Sequence, residues 1–161
     1  MSMALVCVGR LREKPHRLLA DEYIRRLTRY GKFEELEIPD LPEPPGGNSP
    51  ALEEQVRQRE GESILRQIRP GDRVIALTIP GKEMSSTELA DHISGLRTGG
   101  AGRIVFVIGG SLGLGQNVLS RADEELSMGR MTFPHQLARV MLLEQLYRAE
   151  KIIAGERYHK Y

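Results

Sequence analysis

Hydrophobic positions along the chain change period in a regular order. Residues 4–8, Ala-Leu-Val-Cys-Val, are an uninterrupted apolar run that predicts a strand. After Pro15, Leu19, Tyr23 and Leu27 recur at the i+4 spacing of a helix, and Leu36-Glu37-Ile38 alternates as a second strand. Residues 39–50 hold five of the nine prolines plus Gly46 and Gly47, which bars a helix interior or a ladder and predicts a mobile surface loop. Ser49-Pro50 then supplies an N-cap with proline at N1. The apolar positions Leu52, Val56, Leu65 and Ile68 predict a helix that stops before Pro70-Gly71.

The second half repeats this grammar. Residues 74–79 form a continuous apolar strand of the kind buried on both faces of a parallel sheet, and Pro80-Gly81-Lys82 predicts a turn. Ser85 to Glu88 reads as a capping box ahead of Leu89, Ile93 and Leu96, and the glycines of 99–102 break that helix before a strand at 104–108. A glycine-rich loop, 109–115, leads into a short helix at 116–122, a short strand at 125–127, a loop at 128–135 and a long helix at 136–154. Strands alternating with helices predict an α/β fold with a mostly parallel sheet flanked by helices. The last helix carries apolar residues on three sides: Leu137, Met141 and Ile152; Leu142, Leu146 and Ile153; Val140, Leu143 and Tyr147. One buried face needs only about 100° of apolar stripe, so this helix is either central to the domain or packed on a second copy of the chain; a homodimer is the expectation.

Composition narrows the class. A chain of 161 residues fits one domain, 1–161, with a proper core. The lone Cys7 lies in the first apolar run, where a buried, reduced core thiol is expected. No signal-like segment and no membrane-spanning apolar run is visible, so a cytoplasmic protein is expected. Net charge is only +1, yet it is unevenly placed: +5 over residues 1–32, −7 over 33–128 and +3 over 129–161. Should both ends meet in the fold, they make a basic face suited to a polyanion; ordinary solvated helix faces are the alternative.

The glycine loop Gly109-Gly110-Ser111-Leu112-Gly113-Leu114-Gly115 leaves the main chain nearly bare of Cβ atoms, which suits a pocket built from backbone. It is not a P-loop, because Gly115 is followed by Gln116-Asn117 rather than Lys-Ser/Thr, and it lacks the G-x-G-x-x-G spacing of a dinucleotide site. It does match G-x-S-x-G between a strand and a helix, the setting of a serine nucleophile, with Asp123 and His135 or His159 as the available partners. A hydrolase fold needs more chain than follows Gly113, and a plain packing turn explains the loop as well. His16, His92, His135 and His159 are scattered without metal-ligand spacing. The tail Arg157-Tyr158-His159-Lys160-Tyr161 combines donors, an imidazole and stacking rings that suit RNA, which also leaves a non-catalytic RNA-binding module open.

Together these motifs resemble one family. The run from Phe106 to Leu114, Leu126-Ser127, Met131-Thr132-Phe133-Pro134-His135, Arg139-Val140, Glu144-Gln145-Leu146-Tyr147-Arg148-Ala149 and Tyr158-His159-Lys160 are similar to the RlmH family, as are Val8-Gly9-Arg10-Leu11, Glu22-Tyr23 and Ile79-Pro80-Gly81-Lys82. The resemblance covers essentially the whole chain. It implies a SPOUT-type fold with a C-terminal deep trefoil knot, a rare exception to unknotted topology. It also implies a homodimer that methylates N3 of a pseudouridine in 23S ribosomal RNA within the ribosome, using S-adenosylmethionine and no metal. By matching motif, the cofactor pocket would be Leu77, Gly109, Gly113, Met128, Gly129, Arg130, Met131, Thr132 and Phe133. His135, Arg148, Tyr158, His159 and Lys160 would surround the target base.

Overall fold

The computed structural model describes residues 2–46 and 49–160. Five strands, β1 (Ser2–Val8), β2 (Lys32–Ile38), β3 (Asp72–Glu83), β4 (Arg103–Ile108) and β5 (Glu124–Ser127), form one sheet in the order β2-β1-β4-β3-β5. Every pairing is parallel. The helices are α1 (Lys14–Leu27), α2 (Pro50–Leu65), α3 (Ser86–Thr98), α4 (Gln116–Arg121) and α5 (His135–Ile153).

The two-residue period of a strand sorts its side chains into two cores. Met3, Leu5 and Cys7 of β1 and Ile104, Phe106 and Ile108 of β4 face one side, where they meet buried residues of α1, α3 and α5. Ala4, Val6, Val8, Val105 and Val107 face the other, against Ile64 of α2 and Val118 of α4. Covering both faces is what requires β1 and β4 to be apolar without alternation. The expected three-layer α/β architecture is therefore present.

Several local expectations are adjusted. The turn expected at Pro80-Gly81-Lys82 does not end β3: Leu77 and Lys82 both stand opposite Leu126, and the residues between them loop out as a bulge. A proline without an N–H is tolerated there because the bulge leaves the ladder. Gly81 lies so close to β5 that a Cβ would sit 2.8 Å from the carbonyl carbons of Glu125 and Leu126. Helix α2 ends at Leu65, short of Ile68, which still packs on the second core. Ser49 caps α2 by backbone position without a side-chain bond, whereas Ser85 and Glu88 form the expected capping box. The loop at 39–50 has no regular structure over 39–44, and its Gly47 and Asn48 lie outside the described residues.

Helix α5 packs between α1 and α3, which accounts for most of its apolar surface within one chain. Leu142, Leu143, Leu146, Tyr147 and Ala149 are buried, while Leu137 and Ile153 stay exposed. Because α1 and α5 are neighbours, the two basic ends of the chain do share one layer. Cys7 is buried, and burial pushes its thiol up to about 12, so it is an inert core group. Among the described residues, no helix is long and apolar enough to cross a membrane.

Candidate active site

The carboxyl ends of β3, β4 and β5 open into a cavity of about 740 Å³, the place where open α/β sheets bind ligands and a size typical of small-molecule sites. Three separate stretches make most of its walls: 77–80 in the β3 bulge, 108–114 at the end of β4 and 128–135 leading into α5. Of the residues expected to hold a cofactor, Leu77, Gly109, Gly113, Met128, Gly129, Met131, Thr132 and Phe133 all line it, and so does His135. Arg130 does not; its side chain is exposed beside the rim.

Gly109 explains why the second wall is glycine. A Cβ there would lie 2.6 Å from the carbonyl carbon of Gly113 and 2.7 Å from its oxygen. The loop folds back on itself, with Gly113 N–H donating to the Gly110 carbonyl at 3.1 Å and Gly113 at φ +83°, a conformation that favours glycine. From behind, Arg57 of α2 donates to the Leu112 carbonyl at 3.4 Å and Asn117 to the Gln58 carbonyl at 3.0 Å, bracing the loop. Ser111 Oγ donates to Glu43 Oε1 at 2.8 Å. A nucleophilic serine would donate to a histidine there instead, so the hydrolase reading lacks its general base.

His135 opens α5 at the cavity wall. Burial, then the charge of Arg139 one turn on, hold its imidazole below the ordinary range, against an opposing pull from Asp40. It is therefore neutral near pH 7, with an acceptor nitrogen. A depressed folded-state value means the native state resists a proton that the unfolded chain accepts near pH ~6.5. The stabilising term is fully present above that pH and is lost progressively as pH falls from there through the lower folded-state value. Urea titrations at pH 7.5 and 5.5 should show the wild type losing more stability on acidification than His135→Gln; equal losses would contradict this.

Arg148, Tyr158 and His159 gather elsewhere. Glu144 Oε1 accepts from Arg148 Nη2 at 2.5 Å and from Tyr158 Oη at 3.0 Å, and Arg148 Nη1 lies 3.3 Å from His159 Nδ1. The Arg148 guanidinium stands 4.8 Å over the Tyr158 ring, which meets Tyr147 edge-on at 4.9 Å. Burial and Glu144 push Tyr158 up to about 12, so it acts as a donor. Along α5, Arg148 is about 20 Å from His135 at the usual 1.5 Å rise per residue. Lys160 is exposed near this cluster in sequence, and Tyr161 lies outside the described residues. The structure thus splits the expected site into a cavity and a tail cluster.

Sequence reasoning missed Thr78, Pro80, Leu119 and Glu125 in the cavity wall. Pro80-Gly81 was the available signal, read as a turn rather than as a bulge beside a pocket. A second cavity of about 470 Å³ shares Met128 and Gly129 with the first and reaches Glu144 and Gln145 of α5. Among the described residues, no group of three or more His, Cys, Asp or Glu side chains is placed to hold a metal ion.

Comparison with known proteins agrees with this geometry. The family model described as "Predicted SPOUT methyltransferase" matches residues 1–159, which sets the class as a methyltransferase on the SPOUT fold. The "Ribosomal RNA large subunit methyltransferase H" of Alkaliphilus oremlandii (strain OhILAs) is 51% identical over 99% of this chain and 100% of its own length. The protein of the same description from Carboxydothermus hydrogenoformans (strain ATCC BAA-161 / DSM 6008 / Z-2901) is 48% identical over the same shares. The chain belongs to the ribosomal RNA large subunit methyltransferase H (RlmH) family. Among solved structures, a probable methyltransferase from Bordetella pertussis Tohama I superposes with TM-score 0.57 at 15% identity, covering 92% of this chain and 95% of that one. A probable methylase family protein from Haemophilus influenzae Rd KW20 gives 0.53 at 13% identity, covering 99% and 70%. At such identities these two speak for the fold alone.

Proposed function

We propose that the chain transfers a methyl group from S-adenosylmethionine to N3 of a pseudouridine in 23S ribosomal RNA on the assembled ribosome, as a cytoplasmic homodimer. Full-length relatives named for ribosomal RNA methylation support the substrate class. The observation that carries the reading is the main-chain cavity at the strand ends, whose glycine wall is folded so tightly that a Cβ on Gly109 would strike the Gly113 main chain. The cavity is large enough for a nucleoside-sized donor, and its apolar and glycine walls fit one that carries no phosphate. Leu77, Gly109, Gly113 and the residues from Met128 to Phe133 would hold it, with Arg130 at the rim. The loops at 109–115 and 128–134 belong to the segment that, on this reading, is threaded into a deep trefoil knot.

S-adenosylmethionine, when bound, supplies a methyl group on a sulfonium that serves as its own leaving group. The chain's part is to position the nucleobase and manage one proton, since N3 of pseudouridine is an imide nitrogen that holds its hydrogen near neutral pH. His135, neutral at the cavity wall, and His159, carried by the tail, are the two imidazoles for that proton. Arg148 holds an RNA phosphate or the developing negative charge, with Tyr158 and Lys160 as donors beside it.

The separation of tail cluster from cavity along α5 supports a site completed between two subunits, the tail of one serving the cavity of the other. Mixing chains truncated after Gly155 with chains carrying Gly109→Ala should then restore activity that neither has alone; no recovery would count against crossing. The function itself is tested by incubating the protein and labelled donor with ribosomes from a strain lacking this modification, then mapping the methylated nucleotide. Label at a single pseudouridine N3 is expected. RNA binding without donor binding would return the non-catalytic reading, and covalent capture of Ser111 by a fluorophosphonate the hydrolase.

A further inference from the structure

Ser111, the serine of the G-x-S-x-G match, has no part in the chemistry above. It does have a partner of the same kind as a second hydroxyl in the cavity wall. Thr78 Oγ1 donates to Glu125 Oε1 at 2.9 Å, as Ser111 Oγ donates to Glu43 Oε1 at 2.8 Å. Thr78, Ser111 and Glu125 all line the cavity, and Glu43 is tied to its rim through Ser111. Two walls, one from the β3 bulge and one from the glycine loop, therefore each hold a carboxylate in place.

The positive charge set between wall residues in sequence is Arg130, which stands exposed beside the rim and does not line the cavity. Among the described residues, no Lys or Arg lines the cavity, and His135 on its wall is held neutral by burial and by Arg139. Neighbouring arginines are engaged with other acids: Arg57 with Glu54, Arg73 with Glu124, Arg121 with Asp123. Among the described residues, neither Glu43 nor Glu125 takes part in an ion pair. The cavity is thus a negatively biased container with mostly apolar walls.

Resting on its reading as the S-adenosylmethionine site, we infer that Glu125 and Glu43 are specificity-determining residues that make this cavity prefer the sulfonium donor to its thioether product. Transfer breaks the bond between sulfur and methyl; the methyl goes to nitrogen and the bonding pair stays on sulfur. Donor and product then differ in size by one methyl group and in charge by one unit at that atom. A carboxylate acts on the ammonium, carboxylate and hydroxyl groups that donor and product share alike, so the charge at sulfur is what it distinguishes. Both carboxylates are exposed on one side, so the discrimination is moderate, about three- to tenfold for the pair, and is screened by salt. The benefit falls on turnover, because spent product is displaced by fresh donor.

Calorimetry of S-adenosylmethionine and S-adenosylhomocysteine binding to the full chain and to Glu43→Gln/Glu125→Gln tests this. Glutamine keeps an oxygen for Ser111 or Thr78 and removes only the charge. The product-to-donor ratio of Kd values should fall about three- to tenfold in the double variant, chiefly through weaker donor binding. In the wild type the same ratio should shrink as salt rises from about 50 to 500 mM, an arm that needs no variant. A ratio unchanged by both manipulations, with both ligands still binding, overturns the inference and leaves the proposed function standing. Failure of the wild type to bind either ligand strikes the proposed function and the inference with it.

Discussion

Gly109→Ala is expected to lose at least about 30-fold in methyl-donor affinity, roughly 2 kcal/mol, because the added carbon has nowhere to go. It would meet main chain on the far side of its own loop: the Gly113 carbonyl carbon at 2.6 Å, its oxygen at 2.7 Å and the Leu114 nitrogen at 3.0 Å. Such contacts are not relieved by rotating a side chain. The opposing backbone is itself pinned by the Gly113-to-Gly110 hydrogen bond and braced by Arg57 from behind, so relief requires the cavity wall to open. Overpacking of this kind costs about 1–3 kcal/mol of stability, and the melting temperature should fall by several degrees without abolishing the fold. Gly95→Ala is the matched control. That glycine lies on α3 with nothing within 4 Å of the added carbon, so donor binding should be unchanged. Wild-type affinity in Gly109→Ala, measured by calorimetry, would show that this wall does not hold the donor.

Arg139→Ala should cause the largest loss of stability in the α5 segment, about 3–5 kcal/mol, through the carboxylates it leaves behind. Its side chain is 1% exposed, donates to Glu37 Oε2 at 2.7 Å and to the Gly9 carbonyl at 2.8 Å, and stands 3.5 Å from Glu35 Oε2. Arg17 shares Glu35 at 2.7 Å from α1, so one network ties β1, β2, α1 and the first turns of α5. Removing the central cation leaves the partly buried Glu35 and Glu37 carboxylates without the partner they share, whereas neutralising both members of a pair is far less harmful. Arg139→Met combined with Glu37→Gln should therefore recover part of the loss. For a chain of this length the single variant should melt about 10 °C lower, read by calorimetric or circular-dichroism melting. A shift under about 2 °C would mean that solvent or Arg17 compensates Glu37, and that the network adds little.

The legibility of this protein differs from element to element for physical reasons. Strand and helix order was readable because burial on both faces leaves β1 apolar from Met3 to Val8 and β4 from Ile104 to Ile108, and because the capping box at Ser85 and the glycine break at 99–102 are local signals. Pro80-Gly81 misled as a turn because its neighbours in sequence do not reveal β5, which holds Lys82 and Leu77 against the same residue, Leu126. The cavity residues were found through motifs, yet Thr78 and Glu125 were not, since each acquires its place only by facing the other across two strands. Ser111 shows the reverse: its motif was prominent, and its partner Glu43, 68 positions away, changes what it does.

By itself the sequence determined what is local or periodic: the alternation of strands and helices, a doubly covered sheet, a backbone-lined loop at 109–115, an excess of positive charge at each chain end and membership of a methyltransferase family. The family resemblance already groups 77, 109 and 128–133 in one pocket; tertiary structure alone decided the β3 bulge that brings Thr78 and Glu125 into its wall, the neutral His135 beside it, and the gathering of Arg148, Tyr158 and His159 around Glu144 instead. Periodicity and capping act over a few residues and are written in order along the chain. Cavities and charge networks join positions tens of residues apart, so their geometry is set by packing of the sheet and helices as a whole.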